Sequence, residues 1–188
     1  MSKKKTYLEP YTMLVVDTSD YLRVSLIVVN FAGEILHMCN VLNIDEYYFA
    51  RKSVISEINN IISEYGVDTI LMEQNKLFTD KMDKYPDAHT LRNIIFNFSL
   101  QVSIEDMYFD KLVLLSIPEY EWKKAIFGRG TFLTMDLYKS HVLRRCDIPI
   151  KFFIDIEKNN YYKAICLSES ILFGNLMHTK YQINKGVL

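Results

Sequence analysis

Tyr11-Thr12-Met13-Leu14-Val15-Val16, closed by Asp17-Thr18-Ser19-Asp20, is a short apolar run followed by a cluster of turn-forming residues. A run of this length and composition fits a buried strand, and the cluster places Asp17 at its end. Arg23 to Phe31 (Arg-Val-Ser-Leu-Ile-Val-Val-Asn-Phe) forms a second strand, and Ala32-Gly33-Glu34 makes a hairpin-type connection into a third, Ile35 to Leu42. Three consecutive strands with tight connections predict an antiparallel meander.

The pattern then changes from period two to period 3.6. Val54, Ile55, Ile58, Ile61, Ile62 and Tyr65 give Tyr47 to Tyr65 the stripe of an amphipathic helix, stopped at Gly66. Val67 to Met72 is a further buried strand, with Glu73-Gln74 immediately behind it as Asp17 stands behind the first. Asp80 to Pro86 is polar and turn-rich, a loop before a helix whose apolar face is Leu91, Ile94, Ile95, Phe98 and Val102, with a second apolar edge suited to a dimer contact. Lys111 to Ile117 is another strand. Pro118 opens a helix through Phe127, in the first-turn position where its missing N–H costs nothing, and Gly128-Arg129-Gly130 ends it. Helices follow over about Thr134 to Arg145 and about Glu157 to Met177, separated by Asp147-Ile148-Pro149 and the apolar Ile150 to Ile154. The sum is a single α/β domain across residues 1–188, a mixed five-stranded sheet in the order βββαβαβα flanked by helices, with short flexible termini at about 1–9 and 179–188.

Composition narrows the function classes. The 188 residues carry 22 Lys plus Arg against 23 Asp plus Glu, a formal charge of −1, which excludes a broadly basic binder and an acidic disordered chain. No run reaches the roughly 18 apolar residues of a membrane span, and Met1-Ser2-Lys3-Lys4-Lys5 leads into polar and aromatic residues, so an intracellular protein without membrane contact is expected. Cys39, Cys146 and Cys166 contain no CxxC pair, and His37, His89, His141 and His178 include no i, i+4 pair and none beside a cysteine. Any metal is therefore expected on oxygen ligands. The abundance of Ile, Asn, Lys and Tyr is compatible with an AT-rich viral, phage or organellar genome.

Three segments carry the chemistry: Leu14-Val15-Val16-Asp17-Thr18-Ser19, then Met72-Glu73-Gln74, then Pro118 followed by Trp122-Lys123-Lys124-Ala125-Ile126-Phe127-Gly128-Arg129-Gly130. Together they resemble the RuvC-like Holliday-junction resolvases of the ribonuclease H-like superfamily, which has bacterial, phage, mitochondrial and poxviral members. The resemblance covers most of the chain, and the third segment is its most specific part. It implies a ribonuclease H-like fold and carboxylates that converge on Mg2+, with Mn2+ as a substitute, to activate water at a phosphodiester. By resemblance Asp17, Glu73 and Glu169 are the catalytic and metal-binding acids. The last helix departs from the family pattern, since Cys166 stands where the resembled segment carries its first acid, and a thiolate is a poor ligand for Mg2+. Asp155 and Glu157 are candidates for a fourth oxygen.

Residues 122 to 151 hold seven basic side chains (Lys123, Lys124, Arg129, Lys139, Arg144, Arg145, Lys151) and two acidic ones (Asp136, Asp147), so this window is +5 and the remainder −6. Lys123, Lys124 and Arg129 are candidate DNA contacts, with Gly128 and Gly130 allowing close backbone approach; a solvated helix face capped by glycine is the alternative. Lys76 and Phe78, behind Glu73, are further DNA-binding candidates; the resemblance implies an aromatic of this region inserted at the junction centre, which makes Phe78 the candidate wedge, stacked on an unpaired base, the alternative being that it folds onto the core. The leading reading is a metal-dependent, structure-selective endonuclease that resolves Holliday junctions or other branched DNA, with a homodimer implied by the resemblance. The alternative is a catalytically silenced RuvC-like fold that binds DNA or a protein partner. An ATPase of the actin and sugar-kinase type is disfavoured, because no strand turn offers a glycine-rich phosphate loop.

Overall fold

A computed structural model describes residues 11–20, 23–42, 47–74, 87–128, 130, 134–145 and 161–173. Its strands are β1 (Thr12–Asp20), β2 (Arg23–Asn30), β3 (Ile35–Leu42), β4 (Thr69–Gln74) and β5 (Val113–Pro118). The helices are α1 (Tyr47–Tyr65), α2 (Ala88–Tyr108), α3 (Glu119–Phe127), α4 (Met135–Arg145) and α5 (Tyr162–Phe173). The sheet order is β3-β2-β1-β4-β5, with β1, β2 and β3 antiparallel and β1, β4 and β5 parallel. This is the mixed five-stranded sheet that the apolar runs predict.

The central position of β1 explains its composition. Met13, Leu14, Val15 and Val16 are all fully buried, because helices cover both faces of the sheet. Alternation sends Met13 and Val15 to one face, where they pack with Leu71, Trp122, Ile165 and Leu167; Leu14 and Val16 go to the other, under Val54 and Ile58 of α1 and Phe96 and Leu100 of α2. The β2–β3 hairpin closes through Asn30, whose Oδ1 accepts from the N–H groups of Ala32 and Glu34, both at 3.0 Å, while Gly33 takes φ 86°. Asp87 caps α2 by accepting from Thr90 N at 2.8 Å, and Gly128 ends α3 in the left-handed conformation with its N–H on Lys124 O at 3.0 Å.

Two sequence expectations are corrected. Asp17 does not end β1: it pairs with Ser25, and the strand runs on through an irregularity between Asp17 and Asp20 to a pair between Asp20 and Arg23. The turn-forming cluster is absorbed by the antiparallel partner, which extends past the parallel one. The second correction is the face of α2 that meets the sheet, which is Phe96, Leu100, Ile104 and Tyr108. Leu91, Ile95, Phe98 and Val102 lie outside, 37–46% exposed. Both stripes have helical spacing, so periodicity alone does not choose between them.

Candidate active site

The site begins with a register. Parallel pairing of β1 and β4 sets Val16 opposite Met72, so the next residues, Asp17 and Glu73, stand side by side on neighbouring strands just past the last parallel pair. Period two turns Asp17 to the face of Met13 and Val15, and Glu73 to the face of Leu71. That is the face crossed by α5. Glu73 remains inside the pairing of β4 with β5, opposite Ile117, which holds its backbone.

Two side chains converge on this pair. Lys163, in the first turn of α5, places Nζ 3.5 Å from Asp17 Oδ1 and 3.1 Å from Glu73 Oε2. Trp122 of α3, fully buried, donates from Nε1 to the same Glu73 Oε2 at 3.0 Å. Burial works against the Lys163 ammonium, but the negative charges of Asp17 and Glu73 outweigh it and hold the group charged above the usual lysine range. Asp17 is buried, and a buried carboxylate is costly unless paired, so the lysine stabilises the arrangement.

Glu169 lies on the same helix, six residues beyond Lys163, which is about 9 Å of axial rise. It is buried and its Oε2 shares a hydrogen bond with Nε2 of His141 of α4, whose ring lies edge-on to Phe127. The structure therefore brings Asp17 and Glu73 together and sets Glu169 against His141. Cys166 lies between Lys163 and Glu169 on α5 and is fully buried, and burial with the nearby Glu169 charge pushes its thiol far up, so it is a neutral S–H turned toward Tyr138 O. Among the basic candidates, Lys123 turns onto Glu119 in an i, i+4 ion pair beneath Tyr138, with 12% of its side chain exposed, whereas Lys124 is exposed with Nζ over the Tyr120 ring. Gly130 sits so close to Tyr120 that a Cβ there would fall 2.1 Å from the ring. Lys76, Phe78, Arg129, Asp155 and Glu157 lie outside the described residues.

A second group lies away from this site. Among the described residues, His37, Cys39 and Glu57 are the set of three or more potential ligands whose atoms all lie within 4.8 Å of one another, and Asp17, Glu73 and Glu169 do not form such a set. His37 and Cys39 are two apart on β3 and share a face, a spacing that tests for helical ligand pairs pass over. The Cys39 thiol donates to Glu57 Oε1 at 3.8 Å, and burial first, then the Glu57 charge, push it up to about 12. At pH 8 Cys39 is then held as the neutral thiol, the unreactive form. Cys39 and Cys166 are accordingly expected to resist iodoacetamide in the native protein and to label on unfolding. Peptide mass spectrometry reads this, and native labelling of Cys39 at the rate of an unfolded thiol would contradict it.

No protein-family model and no curated protein matches the chain. Among solved structures it is similar to RuvC of Thermus thermophilus, with a TM-score of 0.57 at 10% identity over 89% of this chain and 97% of that one. The fold is RuvC-like. T. thermophilus RuvC in complex with Holliday junction substrate matches similarly, with a TM-score of 0.56 at 9% identity, covering 89% of this chain and 96% of that chain. The RuvC likeness extends over almost the whole of both chains, so the five-stranded sheet and its helices correspond as a unit. Among the described residues no helix is long and apolar enough to cross a membrane.

Sequence reasoning missed Lys163, Trp122 and His141 as parts of the site. Lys163 lies three residues before Cys166, one helical turn away, so a basic residue on the acid-bearing stretch of the last helix was a legible signal. Trp122 stood in the most specific segment, but its N–H partner is set by the packing of α3 on the sheet. His141 has no sequence signal linking it to Glu169.

Proposed function

We propose that this chain is a divalent-metal-dependent endonuclease that nicks branched DNA as a homodimer, the sequence candidates Asp17, Glu73 and Glu169 being its acids. The observation that carries this reading is the parallel register that sets Asp17 and Glu73 side by side on the face covered by α5. Hard carboxylate oxygens on adjacent strands are the donor type Mg2+ or Mn2+ takes, so the pair fits such an ion. Asp17 and Glu73 would hold it, with Glu169 the further acid on α5. The ion supplies water activation and neutralisation of charge at the phosphodiester when bound. The protein's own contribution is orientation: Trp122 fixes one oxygen of Glu73, His141 holds Glu169, and the two strands set the spacing of the acids. Lys124, exposed at the end of α3, with Arg129 just beyond it in sequence, supplies positive charge for the backbone. The neighbour solved with a Holliday junction supports four-way DNA as the substrate to try first. Nicking of a synthetic four-way junction beside a matched duplex, with an Asp17→Asn control, tests the reading.

The homodimer rests on α2. Leu91, Ile95, Phe98 and Val102 form an exposed stripe at spacings of three and four, and Phe109 continues it at 77% exposure. A contiguous apolar face of this kind on a helix fits a self-complementary contact about a two-fold axis. Sedimentation should give a dimer for the native chain and a monomer for Phe98→Asp. A native chain that sediments as a monomer at every concentration would remove the dimer from the proposal.

A specific observation favours a second reading, in which the chain binds branched DNA without cutting it. Lys163 occupies the space between Asp17 and Glu73 and offsets one of their two negative charges, Cys166 is a neutral thiol, and the three acids do not lie within 4.8 Å of one another. Junction binding without nicking in Mg2+ or Mn2+ would select this reading.

A further inference from the structure

We propose that Lys163 is a built-in cation of the Asp17–Glu73 pair and competes with a divalent ion for it, so that Lys163 sets the metal affinity of the site. The inference rests on the reading of Asp17 and Glu73 as metal ligands and adds what controls their loading.

The argument starts from charge and burial. Two carboxylates on adjacent strands, one of them 5% exposed, repel each other and lose solvation, a combination that calls for a counter-charge. The chain provides one from within, since the Lys163 ammonium bridges them at 3.5 and 3.1 Å with 17% of its side chain exposed. Lys163 is anchored by α5, whose neighbouring residues Tyr162, Ala164 and Ile165 are buried against the sheet, so its stem enters the site from a fixed direction. The geometry also shows what a divalent ion must overcome. An ion on the same oxygens would sit within a few ångströms of the ammonium, where like charges in a poorly solvated site repel strongly, so loading requires Lys163 to withdraw. Glu73 Oε2 receives both the lysine and the Trp122 N–H, which leaves Trp122 holding the carboxylate when the lysine leaves. The pair is thus kept folded without a metal, at the cost of weaker metal binding.

The test measures Mn2+ binding to the full-length chain without DNA, by loss of the free-ion electron paramagnetic resonance signal. It compares the native protein with Lys163→Met, Lys163→Arg and Asp17→Asn. Lys163→Met should bind Mn2+ at least about tenfold more tightly than the native chain, and Lys163→Arg should not. In metal-free buffer Lys163→Met should melt lower than the native protein, and adding Asp17→Asn to it should raise the melting temperature, because the uncompensated repulsion is then gone. Equal Mn2+ affinity of the native chain and Lys163→Met, lost in Asp17→Asn, would overturn the competition while leaving the acid pair as a metal site. Binding no better than Asp17→Asn in both proteins would instead remove the metal-site reading itself. If neither Lys163→Met nor its combination with Asp17→Asn folds, Lys163 is needed for packing and the proposal fails.

Discussion

Trp122→Ala should lower the unfolding free energy by about 3–5 kcal/mol, the range for removing a fully buried large aromatic. For a chain of this size that corresponds to a fall of about 6–20 °C in melting temperature. Trp122 is fully buried between the sheet and α4, its ring 6.0 Å from that of Tyr138, and it also donates to Glu73. Trp122→Phe separates the two roles. Phenylalanine fills most of the volume and removes the N–H, so its cost should come mainly from the Glu73 carboxylate, at about 1.5–3 kcal/mol for a hydrogen bond to a charged group. Urea unfolding of both variants measures the split. Full stability of Trp122→Phe would show that the bond to Glu73 contributes nothing, and the Trp122 position would then be a packing feature alone.

Asp17→Asn and Glu73→Gln should each reduce junction nicking at least about a hundredfold while leaving the fold intact, because each removes a charged oxygen donor from the proposed ion. Neither change strips Lys163 of all charge pairing: Glu73 remains 3.1 Å from its Nζ after the first, and Asp17 remains 3.5 Å from it after the second. Circular dichroism and melting should therefore separate lost chemistry from lost structure. The measurement is the initial nicking rate at saturating metal. Near-native rates in Asp17→Asn would take Asp17 out of the reaction, and near-native rates in Glu73→Gln would do the same for Glu73.

How much of this was legible in the sequence depends on which interaction decides each feature. β1 and β4 were legible because a strand buried on both faces needs an unbroken apolar run, and Met13 to Val16 and Ile70 to Met72 supply one. The placement of Asp17 and Glu73 behind those runs followed directly, although Asp17 proved to lie within β1 because pairing with Ser25 continues past the parallel partner. The buried face of α2 was not legible, since Leu91, Ile95, Phe98 and Val102 repeat as regularly as Phe96, Leu100 and Ile104; the sheet selects the second set. The ion pairs of Lys163 and the bond between His141 and Glu169 join residues far apart in the chain, so they depend on how α4 and α5 pack, which no local pattern encodes. Gly128 was legible as the end of α3 with two uses left open, close approach to phosphate or a helix cap, and its φ of 71° with the N–H on Lys124 O shows the cap.

The most direct test of the central claim incubates the full-length chain with a labelled four-way junction and with a matched linear duplex, in Mg2+, in Mn2+ and in a chelator. The account predicts paired nicks near the branch point of the junction, present in either metal, absent in the chelator, absent on the duplex and lost in Asp17→Asn. Nicking that persists in the chelator or in Asp17→Asn, or a chain that neither binds nor nicks the junction, would contradict it.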